Sequence, residues 1–271
     1  MDVDEQIASR PLYLMLLTTC AFYATGDWAI ALPFVSILAA GILYERILTH
    51  WFFWTLITCL LGSAIGRLWL SEGNHLFLLF YLSLTALIAS HTSTPRVVFR
   101  WNARLIIGLV FALATFWKLI SESYLSGQFY TYLLVIDDRL GAIGLLFTEL
   151  TRQDIATNRQ AVAGVLDAPV QLITYPKIRI LAMIMTWLTF IVEAALAVVF
   201  LVDTTSIQRL RSPLLLTFLV GTYTVVPVPA FGMALACLGY AETSSKTYQN
   251  LFLAAFIIMP LTALRYYLLP I

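Results

Sequence analysis

Charged side chains are scarce in this chain of 271 residues, of which 11% are Asp, Glu, Lys or Arg and 61% are hydrophobic. An average soluble domain is about 25% charged and roughly 45–50% apolar. The mean hydropathy is +0.87. This composition excludes a soluble globular enzyme, a disordered chain and a nucleic-acid-binding protein. It predicts an all-α fold, namely a polytopic bundle of transmembrane helices.

Cysteine is rare, and the common catalytic motifs are missing. The three cysteines form no C-x-x-C pair, which argues against a disulfide framework and a thiol-based quinone oxidoreductase. The chain has no phosphate-binding loop, no G-x-S-x-G elbow and no H-E-x-x-H motif. Its three histidines lack the spacing of metal or haem ligands, so we predict no metal site. No basic tract is long enough to hold nucleic acid or an anionic lipid surface.

Long apolar runs make up most of the chain. A bilayer core about 30 Å thick needs roughly 20 apolar residues per helix. About eight runs fit this requirement, or seven if the first two form one kinked element around Gly26-Asp27. The predicted spans are 11–25, 28–45, 50–70, 76–89, 104–120, 180–202, 214–238 and 251–269.

Segment 121–177 differs from the rest because charged residues alternate there with apolar pieces too short to span a membrane. This pattern predicts amphipathic helices that lie at the interface or re-enter between the spans. No repeat or low-complexity linker divides the sequence. We therefore interpret residues 1–271 as a single integral membrane domain whose surroundings are the lipid bilayer.

The basic residues of the short loops predict the orientation in the membrane. With eight spans, one side holds the C-terminus and seven arginines, whereas the other side has only Arg67 and Lys246 in its short loops. This bias predicts a multi-pass protein, in the plasma membrane, with both termini in the cytoplasm and segment 121–177 outside. The seven arginines are Arg10, Arg46, Arg96, Arg100, Arg104, Arg209 and Arg211.

Two charged residues fall inside apolar runs. Lys118 lies near the outer end of the fifth predicted span, and Glu193 lies well inside the sixth. Charges at such depth are costly, so they usually face the bundle interior and have partners. Because consecutive spans are often neighbours, Lys118 and Glu193 are candidate partners. A desolvated lysine can act as a general base when it is neutral. The alternatives are a lysine that reaches the interface along lipid and a purely structural glutamate.

Proline interrupts the seventh predicted span at Pro227-Val-Pro229. Broken helices often mark binding sites in transporters, because the carbonyl groups freed by the break need partners. A kink required only for packing is the alternative. Asp27, in the predicted first turn, is a weaker candidate because solvent alone accounts for a charge there.

The stretch from Arg104 to Gly127 resembles the HTTM family, the horizontally transferred transmembrane domain shared with vitamin K-dependent γ-carboxylases. The family pattern is an apolar helix with Ala, then Lys-Leu, an aromatic residue and a glycine. The run Trp187–Glu193 also resembles the glutamate-bearing helix of the family. The residues that match the first pattern are Ala114, Lys118, Leu119, Tyr124 and Gly127.

The resemblance implies that Lys118 is a base that deprotonates a quinol or a similar lipophilic acid. It implies Lys118 and Glu193 as catalytic residues, and Trp117, Tyr124 and Gly127 as residues that bind the quinone or quinol. The chain departs from the carboxylases in two respects. It lacks their large luminal β-rich domain, and Trp117-Lys118 stands where they have two lysines, so glutamate carboxylation is not expected.

Three functions follow as alternatives. The first is an enzyme acting on a lipophilic small molecule through Lys118. The second is a transporter or lipid-binding protein, which the proline break favours. The third is a non-catalytic assembly partner of another membrane protein, and the sequence indicates no particular protein partner.

Overall fold

The computed structural model is all-α over the residues that it describes, which are 3–23, 28–68, 75–163, 170–223, 226 and 228–268. No strand occurs in these ranges, which confirms the all-α part of the predicted fold class. Asp27 and Pro227 lie outside the described residues. A 3-10 helix, Glu45–Thr49, separates the second and third α-helices. The α-helices are α1 (Val3–Tyr23), α2 (Trp28–Leu43), α3 (Trp51–Leu68), α4 (His75–Ser90), α5 (Pro95–Ile120), α6 (Glu122–Leu125), α7 (Gln128–Ile136), α8 (Asp138–Phe147), α9 (Arg152–Ala163), α10 (Pro176–Leu201), α11 (Thr205–Gln208), α12 (Arg211–Tyr223), α13 (Pro229–Glu242) and α14 (Lys246–Leu268).

Helices α5 and α10 are long and apolar enough to cross a membrane, and they are the two described helices that meet this criterion. Each has 26 residues and is therefore about 39 Å long. Both begin with a proline at the first turn, Pro95 and Pro176, where the missing N–H group costs nothing. The proline explains why each helix begins several residues before its predicted span. Shorter apolar helices lie at Leu32–Leu43, Trp51–Gly66 and Leu76–Ser90.

Helices α5 and α10 pack antiparallel. Near the start of α5, the Arg104 Nε–H donates a hydrogen bond of 3.0 Å to the carbonyl of Phe200, close to the end of α10. One turn further, Gly108 allows a close approach, since a Cβ there would lie 2.6 Å from Leu201 Cδ2. The two helices are thus held face to face, and Lys118 and Glu193 lie along the same seam.

Helices α12 and α13 form a hairpin, which corrects the predicted span 214–238. The first residue of α12, Arg211, donates a hydrogen bond of 3.3 Å to the last residue of α13, Glu242. In one continuous helix, residues this far apart in sequence would be separated by about 47 Å. At the other end of the hairpin, the rings of Tyr223 and Phe231 lie 6.2 Å apart. The apolar run therefore turns back on itself, with each arm about 20 Å long.

The hairpin also changes the predicted position of Lys246. Lys246 begins α14 directly after the hairpin returns, and it lines the same cavity as Arg96 and Arg100 at the start of α5. The prediction that Lys246 lies on the side opposite these arginines is therefore wrong. The prediction failed because a hairpin returns the chain to the end of the bundle from which it started, whereas a single span carries the chain to the opposite end. We refer to this end of the bundle as the arginine end.

The described helices of segment 121–177, α6 to α9, lie over the other end of the bundle. Helices α6 to α9 are too short to span a membrane, as predicted. They enclose an apolar core of their own, which includes Leu134 and Ile155 and continues onto the start of α10 at Ile178 and Ala182. Buried Asn158 ties this layer together, because its amide accepts a hydrogen bond from the Ile173 N–H and donates one to the Ile173 carbonyl. The layer therefore covers the ends of α5 and α10 that lie away from the arginine end.

Candidate functional site

The structure brings Lys118 and Glu193 together as an ion pair between α5 and α10. The lysine side chain is 18% exposed and the glutamate side chain 10% exposed. On the same helix, the neighbours Trp117 and Leu119 are 63% and 55% exposed. Lys118 therefore lies on the inner face of α5, and its ammonium group meets a carboxylate instead of extending along the outer surface. The predicted partnership of Lys118 with Glu193 is thus present in the structure, and Lys118 is not an interfacial lysine.

Glu193 lies deep in its helix, about 7 Å from the midpoint of α10 at 1.5 Å per residue. Its surroundings on α10 are apolar, with Ile191 and Val192 before it and Ala194 and Ala195 after it. A carboxylate in such surroundings is stable only when it is paired or protonated. Lys118 supplies the pairing group, so each of the two residues depends on the other for its charged form.

Tyr124 forms the third member of this site. Its ring centroid lies 5.2 Å from the Lys118 ammonium nitrogen, within the range of a cation–π interaction. The ring is buried, and its hydroxyl makes no hydrogen bond to any part of the chain that the structure describes. That hydroxyl adjoins Tyr130 and Thr189, whose own hydroxyl groups share a hydrogen bond of 2.9 Å. A buried hydroxyl without a partner can still donate a hydrogen bond to a ligand.

Gly127 positions Tyr124 through the shape of the backbone. Its φ angle is +77°, and a Cβ at this position would lie 2.8 Å from the sulfur of Met183 on α10. Glycine tolerates both the positive φ angle and the close approach of Met183, because it has no Cβ atom. The turn between α6 and α7 can therefore press against α10 and hold the Tyr124 ring beside Lys118. The role of Gly127 in binding a quinone or quinol stays a prediction.

Trp117 lies apart from the ion pair, on a different face of α5. It lines an apolar groove of about 450 Å³ together with Phe77, Tyr81 and Leu113, and Phe231 closes the groove from α13. One residue along a helix rotates the side-chain direction by about 100°, so adjacent residues cannot both face the same point. The structure thus joins Lys118, Glu193 and Tyr124, and it places Trp117 in a separate surface that suits a lipophilic chain.

The sequence analysis missed Tyr223 as a member of the site. Tyr223 ends the first arm of the hairpin and is buried, and its hydroxyl lies within range of the Glu193 charge. Its ring contacts Phe231, which lines the apolar groove. The signal was its place directly before the proline break, but that break was interpreted within a straight span. Tyr223 is therefore a buried phenol that contacts one residue of the groove and lies within range of the Glu193 charge.

The assembled site contains one cation, one carboxylate and two phenols inside an apolar bundle. Together these groups can hold, accept and return a proton, and they can stabilise an anion beside the ammonium group. Across the described ranges of the chain, no group of three or more His, Cys, Asp or Glu side chains could hold a metal ion.

Comparison of the chain with models of protein families, with curated proteins and with solved structures returns no match.

Proposed function

We propose that the chain is a multi-pass membrane protein that binds a lipophilic acid, of the quinol class, and accepts its proton at the Lys118–Glu193 pair. The ion pair between the two membrane-length helices is the observation that carries this proposal. Ionisable groups at such depth are costly and are typically retained where a protein handles protons or ions. The resemblance to the HTTM family supports the choice of a quinol.

The outer surface of the bundle supports a location within lipid. Along α10, Ile180, Ile184, Leu188 and Ile191 recur at helical spacing, and each is between 58% and 61% exposed. The charged Glu193 of the same helix is buried instead. A soluble helix has the reverse arrangement, with its apolar stripe inside and its charges outside. Lipid is the medium in which this distribution is favourable.

The arrangement of helix ends supports seven crossings and a re-entrant hairpin. Helices α1, α3, α5 and α14 begin at the arginine end, and α2, α4 and α10 return to it, while α12 and α13 enter and leave on the same side. The positive-inside tendency places the arginine end in the cytoplasm. The end of α14 then faces the exterior, which revises the expectation that both termini are cytoplasmic. The plasma membrane remains the proposed location.

The apolar groove offers the substrate a lipid-facing surface on the face of α5 next to that of Lys118. A hydrocarbon tail fits against Trp117 and Phe231, while the polar head group is proposed to lie at the ion pair. The groove volume of about 450 Å³ lies in the usual range of ligand pockets, roughly 300–1,000 Å³. The groove and the pair together therefore match a molecule with an acidic head and an apolar tail.

The proposed proton transfer balances within the site. In the free protein the Lys118–Glu193 pair holds one exchangeable proton and has no net charge. The O–H bond of the bound acid breaks, its electron pair stays on oxygen, and the proton adds to the pair. The pair then carries one positive charge, which stabilises the new anion directly, and the Tyr124 ring supports the ammonium group.

Binding of a short-chain quinone and its quinol, followed by quenching of tryptophan fluorescence in detergent, tests this proposal. We expect wild-type protein to bind both, and Lys118→Met or Glu193→Gln to bind the quinol about 10- to 100-fold more weakly, the usual worth of a charged hydrogen bond. The exposed pair Lys177–Glu149 provides the matched control, and Lys177→Met should bind as wild type does. Equal affinity of wild type and Lys118→Met for the quinol would refute the proposal.

A second candidate, a transporter or lipid-binding protein, is favoured by the hairpin, whose first arm ends at Tyr223, within range of the Glu193 charge. Helical hairpins that enter the bilayer from one side can gate a path to a central site. Proteoliposomes containing the protein should then show flux of an anionic lipophilic probe that Pro229→Ala changes. Sealed vesicles without flux would exclude this candidate.

A further inference from the structure

A cavity of about 500 Å³ lies at the arginine end, where three separate parts of the chain meet. Arg96 and Arg100 reach it from the first turns of α5, and Lys246 reaches it from the start of α14. Thr243 and Ser244, between α13 and α14, supply hydroxyl groups, and Pro11 and Leu12 of α1 close the apolar side. The described lining residues are Pro11, Leu12, Arg96, Arg100, Tyr240, Ala241, Thr243, Ser244, Lys246 and Gln249.

The described lining of this cavity is rich in positive charge. Among the residues that the structure describes, it contains three cations and no acidic residue. Within the ranges that the structure describes, Arg96, Arg100 and Lys246 form no ion pair and no side-chain hydrogen bond. Three like charges around one small volume repel one another, and each retains its donors for another partner. The arrangement therefore favours an anion in this cavity.

In the adjoining cavity, at the same end of the bundle, two arginines are paired with carboxylates. It shares Arg100, Thr243 and Ser244 with the first cavity. There, Arg104 pairs with Asp203 at 2.8 Å, and Arg211 pairs with both Asp203 and Glu242 at 3.3 Å. Two arginines are thus matched by two carboxylates, and this network closes the ends of α10 and the hairpin. Arg104 and Arg211 thus belong to the paired network, whereas Arg96 and Lys246 line the first cavity alone and Arg100 lines both.

The first turn of α14 adds to the attraction for an anion. This helix has 23 residues, and its leading N–H groups point toward the end at which Lys246 and Gln249 line the cavity. A helix N-terminus carries a partial positive charge and free donors. The helix end therefore strengthens a site that the three cations already define.

We propose that this cavity binds a phosphate group, carried by an anionic lipid or by a soluble phosphate ester. Guanidinium groups match phosphate oxygens in geometry, and lysine supplies a compact point charge. The hydroxyl groups of Thr243 and Ser244 can donate to the remaining oxygens. No basic tract in the sequence indicates such a site, because the cations that line the cavity come from two segments about 150 residues apart. The inference does not depend on the function proposed for Lys118 and Glu193.

The test uses the full chain in detergent and has two arms. Native mass spectrometry measures retention of phosphatidylglycerol relative to phosphatidylcholine, and thermal unfolding compares sodium phosphate with sodium chloride at equal ionic strength. A triple variant, Arg96→Gln, Arg100→Gln and Lys246→Gln, removes the cations, which lie at the surface of the fold. Arg179→Gln, an exposed arginine at the other end of α10, is the matched control.

We expect wild type and Arg179→Gln to give the same preference in at least one arm. Removing one cation should weaken phosphate binding roughly fivefold, and removing all three should weaken it about 100-fold. These factors follow from the usual contribution of a basic residue to the binding of a phosphate group. Preference for phosphatidylglycerol alone assigns the phosphate to a lipid, and a phosphate-specific rise in Tm assigns it to a soluble ester. No preference in either arm, or a preference that the triple variant retains, would overturn the proposal.

Discussion

Breaking the Lys118–Glu193 pair from one side should destabilise the protein far more than removing both partners. In Glu193→Gln the ammonium group loses its counter-charge while its side chain remains 18% exposed. Removing one partner of a buried ion pair typically costs about 3–5 kcal/mol, whereas replacing both by uncharged groups is often nearly neutral. The double variant Lys118→Met/Glu193→Gln should therefore recover most of the stability that Glu193→Gln loses.

The assay is a double-mutant cycle on the free energy of unfolding, measured by titrating SDS into protein in mild detergent. The second Lys–Glu pair, Lys177–Glu149, is the control because its side chains are 63% and 47% exposed. Exposed pairs contribute little to stability, so Glu149→Gln should show no measurable change. If Glu193→Gln were as harmless as Glu149→Gln, or if the double variant were worse than both single variants, the reasoning about the buried pair would be refuted.

Three further predictions follow from the same structure. Gly127→Ala should lower stability by about 1–2 kcal/mol, since it places a side chain at a positive φ angle and against Met183; thermal unfolding measures this, and an unchanged Tm would contradict it. Cysteines introduced at Ser244 and Arg209 should react with a membrane-impermeant maleimide from the same side, and one at Glu149 from the other side; labelling of Ser244 with Glu149 would exclude the hairpin. The Arg104 hydrogen bond holds the pKa of Asp203 below its ordinary value of 3.8. The charged Asp203 should therefore stabilise the fold above pH 4, and this contribution should disappear as the pH falls through the lowered pKa. A stability difference between wild type and Asp203→Asn that grows as the pH falls below 4 would contradict this.

The partnership of Lys118 with Glu193 could be predicted because the argument needed only two facts. Each residue is the charged member of a long apolar run, and consecutive helices tend to pack together. The bounds of α5 and α10 followed less well, because the predicted spans began at the apolar residues. The helices themselves begin earlier, at Pro95 and Pro176.

The hairpin could not be predicted from hydropathy. A run such as 214–238 is equally apolar whether it crosses the bundle once or turns back at Pro227-Val-Pro229. Only the pairing of Arg211 with Glu242 distinguishes the two, and that contact joins residues from the two ends of the run. The position of Lys246, and with it the basic cavity, depended on the same distinction.

The separation of Trp117 from Lys118 could have been predicted from the sequence. Adjacent residues on a helix point in directions about 100° apart, so Trp117 and Lys118 need not line the same cavity. Likewise, Arg96, Arg100 and Arg104 recur every four residues and lie on one face of α5. That spacing indicates a common surface as well as an orientation in the membrane.

The central claim is that the Lys118–Glu193 pair accepts a proton from a bound lipophilic acid. Infrared difference spectroscopy tests it directly, by recording the change when a quinol is added to the protein in lipid. We predict a new carboxylic acid C=O band, which Glu193→Gln removes and Glu149→Gln leaves unchanged. Quinol binding without any change in the protonation of Glu193 or Lys118 would contradict the account.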